Sequence, residues 1–305
     1  MAETPRIHIA SDDRPDLEQA VREGGGEPAP LEGADGVVWL DGKPDALPEL
    51  PDSVRWVQLP SAGVERWLRA GKLDDGRAWT SATGAFGLPV AEHALALMLA
   101  GDKALHAFAR ERSWVGDARH NVRSLEGETV LIVGAGGIGR ALIRLLEPFG
   151  AEVIAVTRRG RDVPGAARTL PAERVGEVWG EARHVVIAAP ATDGTRHLVG
   201  ARELAAMRED AWLVNVARGS LVDTDALVEA LRSGSIAGAG LDVTEPEPLP
   251  DGQPLWELPN VLITPHVATP PEAERRHFAL RVKENVRRLA AGEELEGLID
   301  PEGGY

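Results

Sequence analysis

The chain has 305 residues, no cysteine and a formal net charge of −15. That length accommodates two domains or one large one, and with 43% hydrophobic residues there is enough apolar material for real cores. The missing thiols exclude disulfides, thiolate catalysis and cysteine metal sites, and the negative charge excludes a basic face for nucleic acid or an anionic membrane.

Residues Met1 to Arg6 lack a basic start followed by an apolar core, so no signal peptide is expected and the cytoplasm is the default. Strand-like runs follow at Arg6–Ala10, Gly36–Leu40 and Val54–Leu59, with helical patterns at Asp16–Glu23 and Val64–Ala70. They predict a small α/β unit. Val90–Ala100 is a strong helix former, apolar nearly all round, which predicts burial at a domain or subunit interface. It contains Glu92 and His93 and is too short to span a bilayer. A polar stretch, Asp102 to Glu126, comes next. From Thr129 the alternation becomes regular. Strand-like runs occur at Thr129–Val133, Glu152–Val156, His184–Ala188, Ala211–Val216, Gly238–Asp242 and Val261–Thr264, most of them separated by helical patterns. Near-continuous apolar strands alternating with helices imply a parallel sheet covered on both faces. Pro270–Pro271 breaks the chain, and Glu272–Ala290 reads as a long amphipathic helix.

The glycine-rich loop is the first chemical signal. Thr129–Val133 leads into Gly134-x-Gly136-x-x-Gly139 and then a helical run, with a second strand at Glu152–Val156. A lone GxGxxG means little, but strand, glycine turn, helix and second strand together predict a dinucleotide site. Gly134 permits the tight turn, Gly136 lets backbone approach the pyrophosphate, and Gly139 lets the helix pack on the sheet. Gly137 and Ile138 complete that loop. At the end of the second strand an NAD site usually carries Asp or Glu for the ribose hydroxyls. Here the residues are Thr157, Arg158 and Arg159. No carboxylate would repel a 2′-phosphate and two guanidiniums could pair with it, so NADP is preferred over NAD. The bland alternative is that both arginines are solvated loop charges.

Three further residues each follow an apolar strand-like run: Arg218, Glu247 and His266. In a parallel sheet the carboxyl ends of the strands open onto one crevice. Arg218 could hold a substrate carboxylate through two parallel hydrogen bonds. His266 could pass a proton near neutral pH, with a neighbouring carboxylate fixing its tautomer and favouring the protonated ring. Glu245 is an alternative partner for His266, although the spacing from Asp242 favours Glu247. His93, inside an apolar helix, reads as packed or at an interface. His8, His106, His120, His184, His197 and His277 are scattered without carboxylates at metal-ligand spacing, so no metal is expected. Trp256 is a candidate to approach the site from a loop or a neighbouring subunit.

Over most of its length the chain resembles the D-isomer-specific 2-hydroxyacid dehydrogenase family. The motifs carrying the resemblance are Pro89-Val-Ala-Glu-His93, the glycine loop, Pro190-Ala-Thr-Asp-Gly-Thr195, Leu213 to Asp223 around Arg218, Gly240-Leu-Asp242-Val-Thr-Glu-Pro-Glu247-Pro and Asn260 to His266. Pro254-Leu-Trp256 and Pro259-Asn-Val261 look most like its glyoxylate/hydroxypyruvate reductase branch. Thr157, where many members have Asp, is the departure, and it bears on NAD preference rather than on the fold.

The resemblance implies an α/β protein of two Rossmann-like domains. A parallel-sheet dinucleotide-binding domain, residues 90–269, is inserted in a smaller flavodoxin-like substrate-binding domain, residues 1–89 and 270–305. It implies reversible reduction of a small 2-oxo acid by NAD(P)H to the (2R)-hydroxy acid. Arg218 would hold the substrate carboxylate and oxo group, and His266 would protonate the carbonyl oxygen. Glu247 would bond His266 and keep it charged. Asp242 would bind the nicotinamide carboxamide. Backbone amides of Ser61, Ala62 and Gly63 would complete the carboxylate site. Ala189, Thr195, Val216 and Ala217 would line the cofactor, with Arg218 and His266 beside the nicotinamide. A homodimer through the dinucleotide-binding domain is implied, as is closure of the cleft around 85–90 and 268–271. Formate dehydrogenases fit less well, since glutamine supports their histidine. An L-specific lactate/malate type would place its glycine loop near the N-terminus, whereas about 130 residues precede it here. The competing class is an NAD(P)-sensing binding protein that keeps the scaffold without the chemistry.

Overall fold

In a computed structural model, residues 4–11, 13–73, 76–115 and 122–300 are described. His120, the first three residues and the middle of the polar stretch after residue 102 lie outside them. The chain forms two compact units, Met1–Phe86 with Pro270–Tyr305, and Gly87–Thr269.

The first unit carries strands β1 (Arg6–Ile9), β2 (Glu27–Pro28), β3 (Gly36–Val38), β4 (Trp56–Gln58) and β5 (Ala78–Thr80), with helices α1 (Pro15–Glu23) and α2 (Glu65–Arg69) between them. The sheet order is β2-β1-β3-β4-β5, and every pairing is parallel. Ile7, Leu17, Val21, Trp56, Phe278 and Val282 form one core; Val57, Leu59, Trp67 and Trp79 form another. Phe278 and Val282 come from the last helix, Pro271–Ala291, which packs back on α1. The chain thus leaves this unit after Phe86 and returns to it at Pro270.

The second unit opens with α3 (Gly87–Asp102) and α4 (Leu105–Phe108). The expected domain edge at 89/90 would cut α3; the unit begins instead at the helix's first residue, because a helix packs as one body. Then follow β6 (Thr129–Val133), α5 (Gly137–Leu146), β7 (Glu152–Thr157), β8 (Arg168–Pro171), β9 (His184–Ile187), α6 (Ala201–Ala206), β10 (Trp212–Asn215), α7 (Thr224–Ser233), β11 (Gly238–Leu241) and β12 (Val261–Ile263). The final helix, Pro271–Ala291, is α8. The sheet order is β12-β11-β10-β9-β6-β7-β8, again all parallel. Side chains of β6, β9, β10 and β11 are buried on both faces, apart from half-buried Thr129, so these strands read as unbroken apolar runs. Strand order reverses between β6 and β9, the switch point where such sheets open a crevice.

The amino-terminal edge of this sheet is held by charge. Asp102, the last residue of α3, is wholly buried; Arg183 Nη2 lies 2.6 Å from its Oδ1 and His184 Nε2 lies 3.0 Å away. Burial pushes the Asp102 carboxyl up, but the hydrogen bond from His184 and the charges of His184 and Arg183 prevail and hold it below the usual carboxylate range. Removing one member of a buried pair strands the other. Asp102→Ala is expected to destabilise the protein by roughly 3–5 kcal/mol at neutral pH, read by urea unfolding. A depressed folded pKa contributes stability above the unfolded value and loses it as pH falls through the folded one. The gap between wild type and variant should therefore narrow as pH drops below about 4.

Candidate active site

Because all seven strands are parallel, their carboxyl ends lie along one edge. Read across the sheet, that edge carries His266 after β12, Asp242 and Glu247 after β11, Arg218 after β10, Ala189 and Thr195 after β9, the glycine loop after β6, and Thr157–Arg159 after β7. Residues scattered over 130 positions of sequence thus become consecutive in space.

His266 Nδ1 is 2.6 Å from Glu247 Oε1, which leaves Nε2 on the opposite side of the ring. The two side chains are each a little under half exposed. Glu245 is engaged elsewhere. Its carboxylate takes both Arg196 terminal nitrogens, at 2.7 and 3.2 Å, and His197 Nε2 at 3.2 Å. The Arg196 hydrogen bonds, ahead of His197, hold its carboxyl below the usual range. Of the two glutamates open on the sequence, Glu247 meets the histidine and Glu245 anchors the loop.

The backbone of His266 is left-handed, φ 53, a conformation costing an ordinary residue about 1–2 kcal/mol. Asp242 makes most of the bonds that hold its turn, and the Thr264 carbonyl also accepts from His266 N–H at 3.0 Å. The Asp242 carbonyl accepts from His266 N–H at 2.9 Å. Asp242 Oδ1 accepts from Thr264 Oγ1 at 2.6 Å and Val267 N–H at 3.0 Å, and Oδ2 accepts from Ala268 N–H at 3.2 Å. Burial alone would raise this carboxyl; hydrogen bonds from His93, Thr264 and Val267 outweigh it and hold it at about 2. His93, read on the sequence as a packed residue, sits here: its Nε2 is 2.9 Å from Thr264 Oγ1 and 3.3 Å from Asp242 Oδ1. No spacing rule links positions 93, 242 and 264, so sequence reasoning had no signal for it.

Arg218 is half-buried just past β10. Asn215 Nδ2 donates to the Arg218 carbonyl at 2.9 Å, and Arg218 Nη1 donates to the Ala217 carbonyl at 2.8 Å. Val216 and Ala217 are buried beneath it. Thr195 closes a capping box with Thr192 and donates to the Pro190 carbonyl at 2.8 Å, so its hydroxyl shapes the turn after β9. Trp256 is half exposed, its indole N–H donating to the Pro250 carbonyl. In the first unit, Ser61, Ala62 and Gly63 lie just beyond β4. Ser61 Oγ donates to the Gly63 carbonyl at 2.8 Å, and the Ser61 carbonyl accepts from Ala82 N–H at 2.9 Å. Among the described residues no group of three or more His, Asp or Glu could hold a metal ion, and no helix is long and apolar enough to cross a membrane.

Residues 93–268 match the family described as D-isomer specific 2-hydroxyacid dehydrogenase, NAD binding domain. A Corynebacterium melassecola protein described as "Uncharacterized protein in proB 3'region" is 40% identical over 94% of this chain and 95% of its own length. A glyoxylate reductase of Thermococcus gammatolerans is 38% identical over 70% of this chain and 66% of that protein. A D-isomer specific 2-hydroxyacid dehydrogenase from Xanthobacter autotrophicus, solved with NADPH and MES, superposes with a TM-score of 0.81 at 28% identity, covering 99% of this chain and all of that one. The chain belongs to the D-isomer specific 2-hydroxyacid dehydrogenase family.

That family implies a nicotinamide dinucleotide, and the residues present fit one. The Gly134 backbone is at φ 100, and a Cβ there would strike the backbone of Ala188 and Ala189, so this glycine serves the protein's own packing. A Cβ on Gly136 would meet nothing within 4 Å. It stands at the N-terminus of α5, which no side chain caps, and free N–H groups with a positive dipole end suit a phosphate. Thr157 Oγ1 is buried at the end of β7 without a partner among the described residues. Gly136→Ala should therefore leave stability within about 1 kcal/mol of wild type, while weakening cofactor binding at least about 10-fold in a nicotinamide fluorescence titration, because the methyl would occupy the pyrophosphate's approach.

Proposed function

We propose that this oxidoreductase reduces a small 2-oxo acid of the glyoxylate or hydroxypyruvate kind to the (2R)-hydroxy acid, taking NADPH in preference to NADH. The observation carrying the reading is the Glu247–His266 pair at the same sheet edge as Arg218 and the glycine loop.

The bound nicotinamide supplies a hydride to C2 of the substrate. The protein's residues do the rest. With Gly134 making the turn, Gly136, Gly137, Ile138 and Gly139 would hold the pyrophosphate, Ala189, Thr195, Val216 and Ala217 would line the path to the nicotinamide, and Asp242 would accept from its carboxamide. Arg218 grips the substrate carboxylate and carbonyl oxygen with its planar fork. As negative charge builds on that oxygen, His266 delivers the Nε2 proton and Arg218 steadies the charge. Glu247, on Nδ1, keeps the ring oriented. Backbone amides of Ser61, Ala62 and Gly63 are proposed as further ligands for a carboxylate. At the other end Thr157 offers no anion, and Arg158 and Arg159 supply positive charge for a 2′-phosphate.

The second unit is also the proposed dimer interface. Leu105, Trp114 and Val115, all exposed, follow the apolar helix α3, which favours a partner surface there. Light scattering on the assayed protein should give the mass of two chains.

Oxidation of NADPH and NADH with glyoxylate, hydroxypyruvate, pyruvate and 2-oxobutyrate tests the reading. Turnover is expected with higher kcat/KM for NADPH, and His266→Ala should lower kcat roughly 10²–10⁴-fold. Cofactor binding without turnover on any of these acids would favour a sensor. Glu247→Gln separates the pair's role. Glutamine can still accept from Nδ1–H but carries no charge opposite the ring that gives up its proton in turnover, so kcat should fall at least about 10-fold. An unchanged kcat would remove Glu247 from the mechanism.

A further inference from the structure

His93 lies on α3 and not on a strand end, yet its ring reaches the buried carboxylate that holds the 264–268 turn. Its Nε2 is 2.9 Å from Thr264 Oγ1, and Thr264 Oγ1 is 2.6 Å from Asp242 Oδ1. The direction of each proton follows from counting. Asp242 is ionised at neutral pH, held at about 2, and an ionised carboxylate only accepts. The single Thr264 hydroxyl proton therefore points to Asp242. Thr264 Oγ1 can then only accept from His93, so the His93 ring must carry its proton on Nε2, whether the ring is neutral or charged. The result is a directed chain, His93 Nε2–H to Thr264 Oγ1–H to Asp242 Oδ1. Asp242 in turn holds Val267 N–H, Ala268 N–H and, through its carbonyl, His266 N–H.

We propose that His93 is a positioning residue for hydride transfer: through Thr264 it orients the Asp242 carboxylate, and with it both the His266 turn and the carboxamide seat of the nicotinamide. The proposal rests on the functional reading given above. Oδ1 is the crowded oxygen, taking Thr264, Val267 and the close approach of His93. Oδ2 takes Ala268 N–H and, with two lone pairs, keeps capacity for a second donor. Loss of the His93 anchor frees the Thr264 hydroxyl to rotate, the carboxylate turns, and two consequences come together: the carboxamide seat loosens and the His266 backbone loses the fixed end of its clasp. The substrate's carboxylate contacts do not involve this chain of bonds. The effect should fall on kcat and cofactor affinity rather than on KM for the 2-oxo acid, because a small displacement of a reacting group is felt in turnover.

The test uses the full chain and five variants: His93→Leu, His93→Gln, Thr264→Val, Thr264→Ser and the double variant His93→Leu/Thr264→Val. His93→Leu and Thr264→Val should each lower kcat and weaken NADPH binding about 10-fold, with KM for the 2-oxo acid moving less than about 2-fold. His93→Gln, whose amide N–H can stand where Nε2–H stood, and Thr264→Ser should recover to within about 3-fold of wild type. The double variant His93→Leu/Thr264→Val should be no worse than Thr264→Val alone, since the two residues act in series. Losses that add would overturn the proposal, as would a His93→Leu variant that loses thermal stability while kcat and NADPH affinity stay at wild-type values. Long-range proton–nitrogen NMR of the His93 ring in the wild-type protein gives an answer that needs neither turnover nor a folded leucine variant. Nε2–H supports the chain, and a ring protonated on Nδ1 alone sinks it. If the wild type reduces no 2-oxo acid, the functional reading fails by itself, and the NADPH titration with the ring spectrum still decides the role of His93.

Discussion

The Asp242 carboxylate is the interaction on which this site depends. It is buried at the end of β11, where an unpartnered charge would be untenable, and it is tolerated because four groups of the 264–268 turn and α3 converge on it. The compensation runs both ways. The turn needs the carboxylate because it holds His266 in a left-handed backbone and leaves the N–H groups of Val267 and Ala268 to be satisfied. A charge that burial disfavours and a turn that sterics disfavour are each stable only with the other.

Charge is placed at both ends of the seven-stranded sheet, with opposite purposes. At the amino-terminal edge Asp102, Arg183 and His184 close on one another within the interior, a fastening of α3 to β9. At the carboxyl edge the His266 and Glu247 side chains are each a little under half exposed, with one nitrogen of His266 on Glu247. Chemistry needs groups held firmly on one side and open on the other. The helix α3 serves both ends, ending in Asp102 and presenting His93 nearer its start. Its apolar composition conceals two polar side chains with long-range work.

Much of the fold was legible because a parallel sheet covered on both faces needs uninterrupted apolar strands. The runs at 129–133, 152–156, 184–188, 211–216, 238–242 and 261–264 all became strands of the second unit, with ends trimmed or extended by a residue or so. The strands missed were β2, β5 and β8, and each is an edge strand. An edge has one neighbour and a solvated flank, so Glu27–Pro28 and Arg168–Pro171 carry polar or proline residues that hide them from a hydrophobic pattern.

The sequence by itself determined the fold class, the dinucleotide loop and the family, because these depend on local pattern: glycines at fixed offsets, apolar periodicity and short motifs at strand ends. It favoured Glu247 over Glu245 as the partner of His266 by spacing alone, and it read His93 as packed or at an interface. Only the tertiary structure decided that Glu247 meets His266 while Glu245 goes to Arg196 and His197, and that His93, Thr264 and Asp242 form one chain of bonds. The physical reason is the same in both cases. Hydrogen bonds act over about 3 Å, and which side chains come within that reach is set by the crossing of segments from 19 to 171 positions apart, for which the order of residues along the chain carries no period.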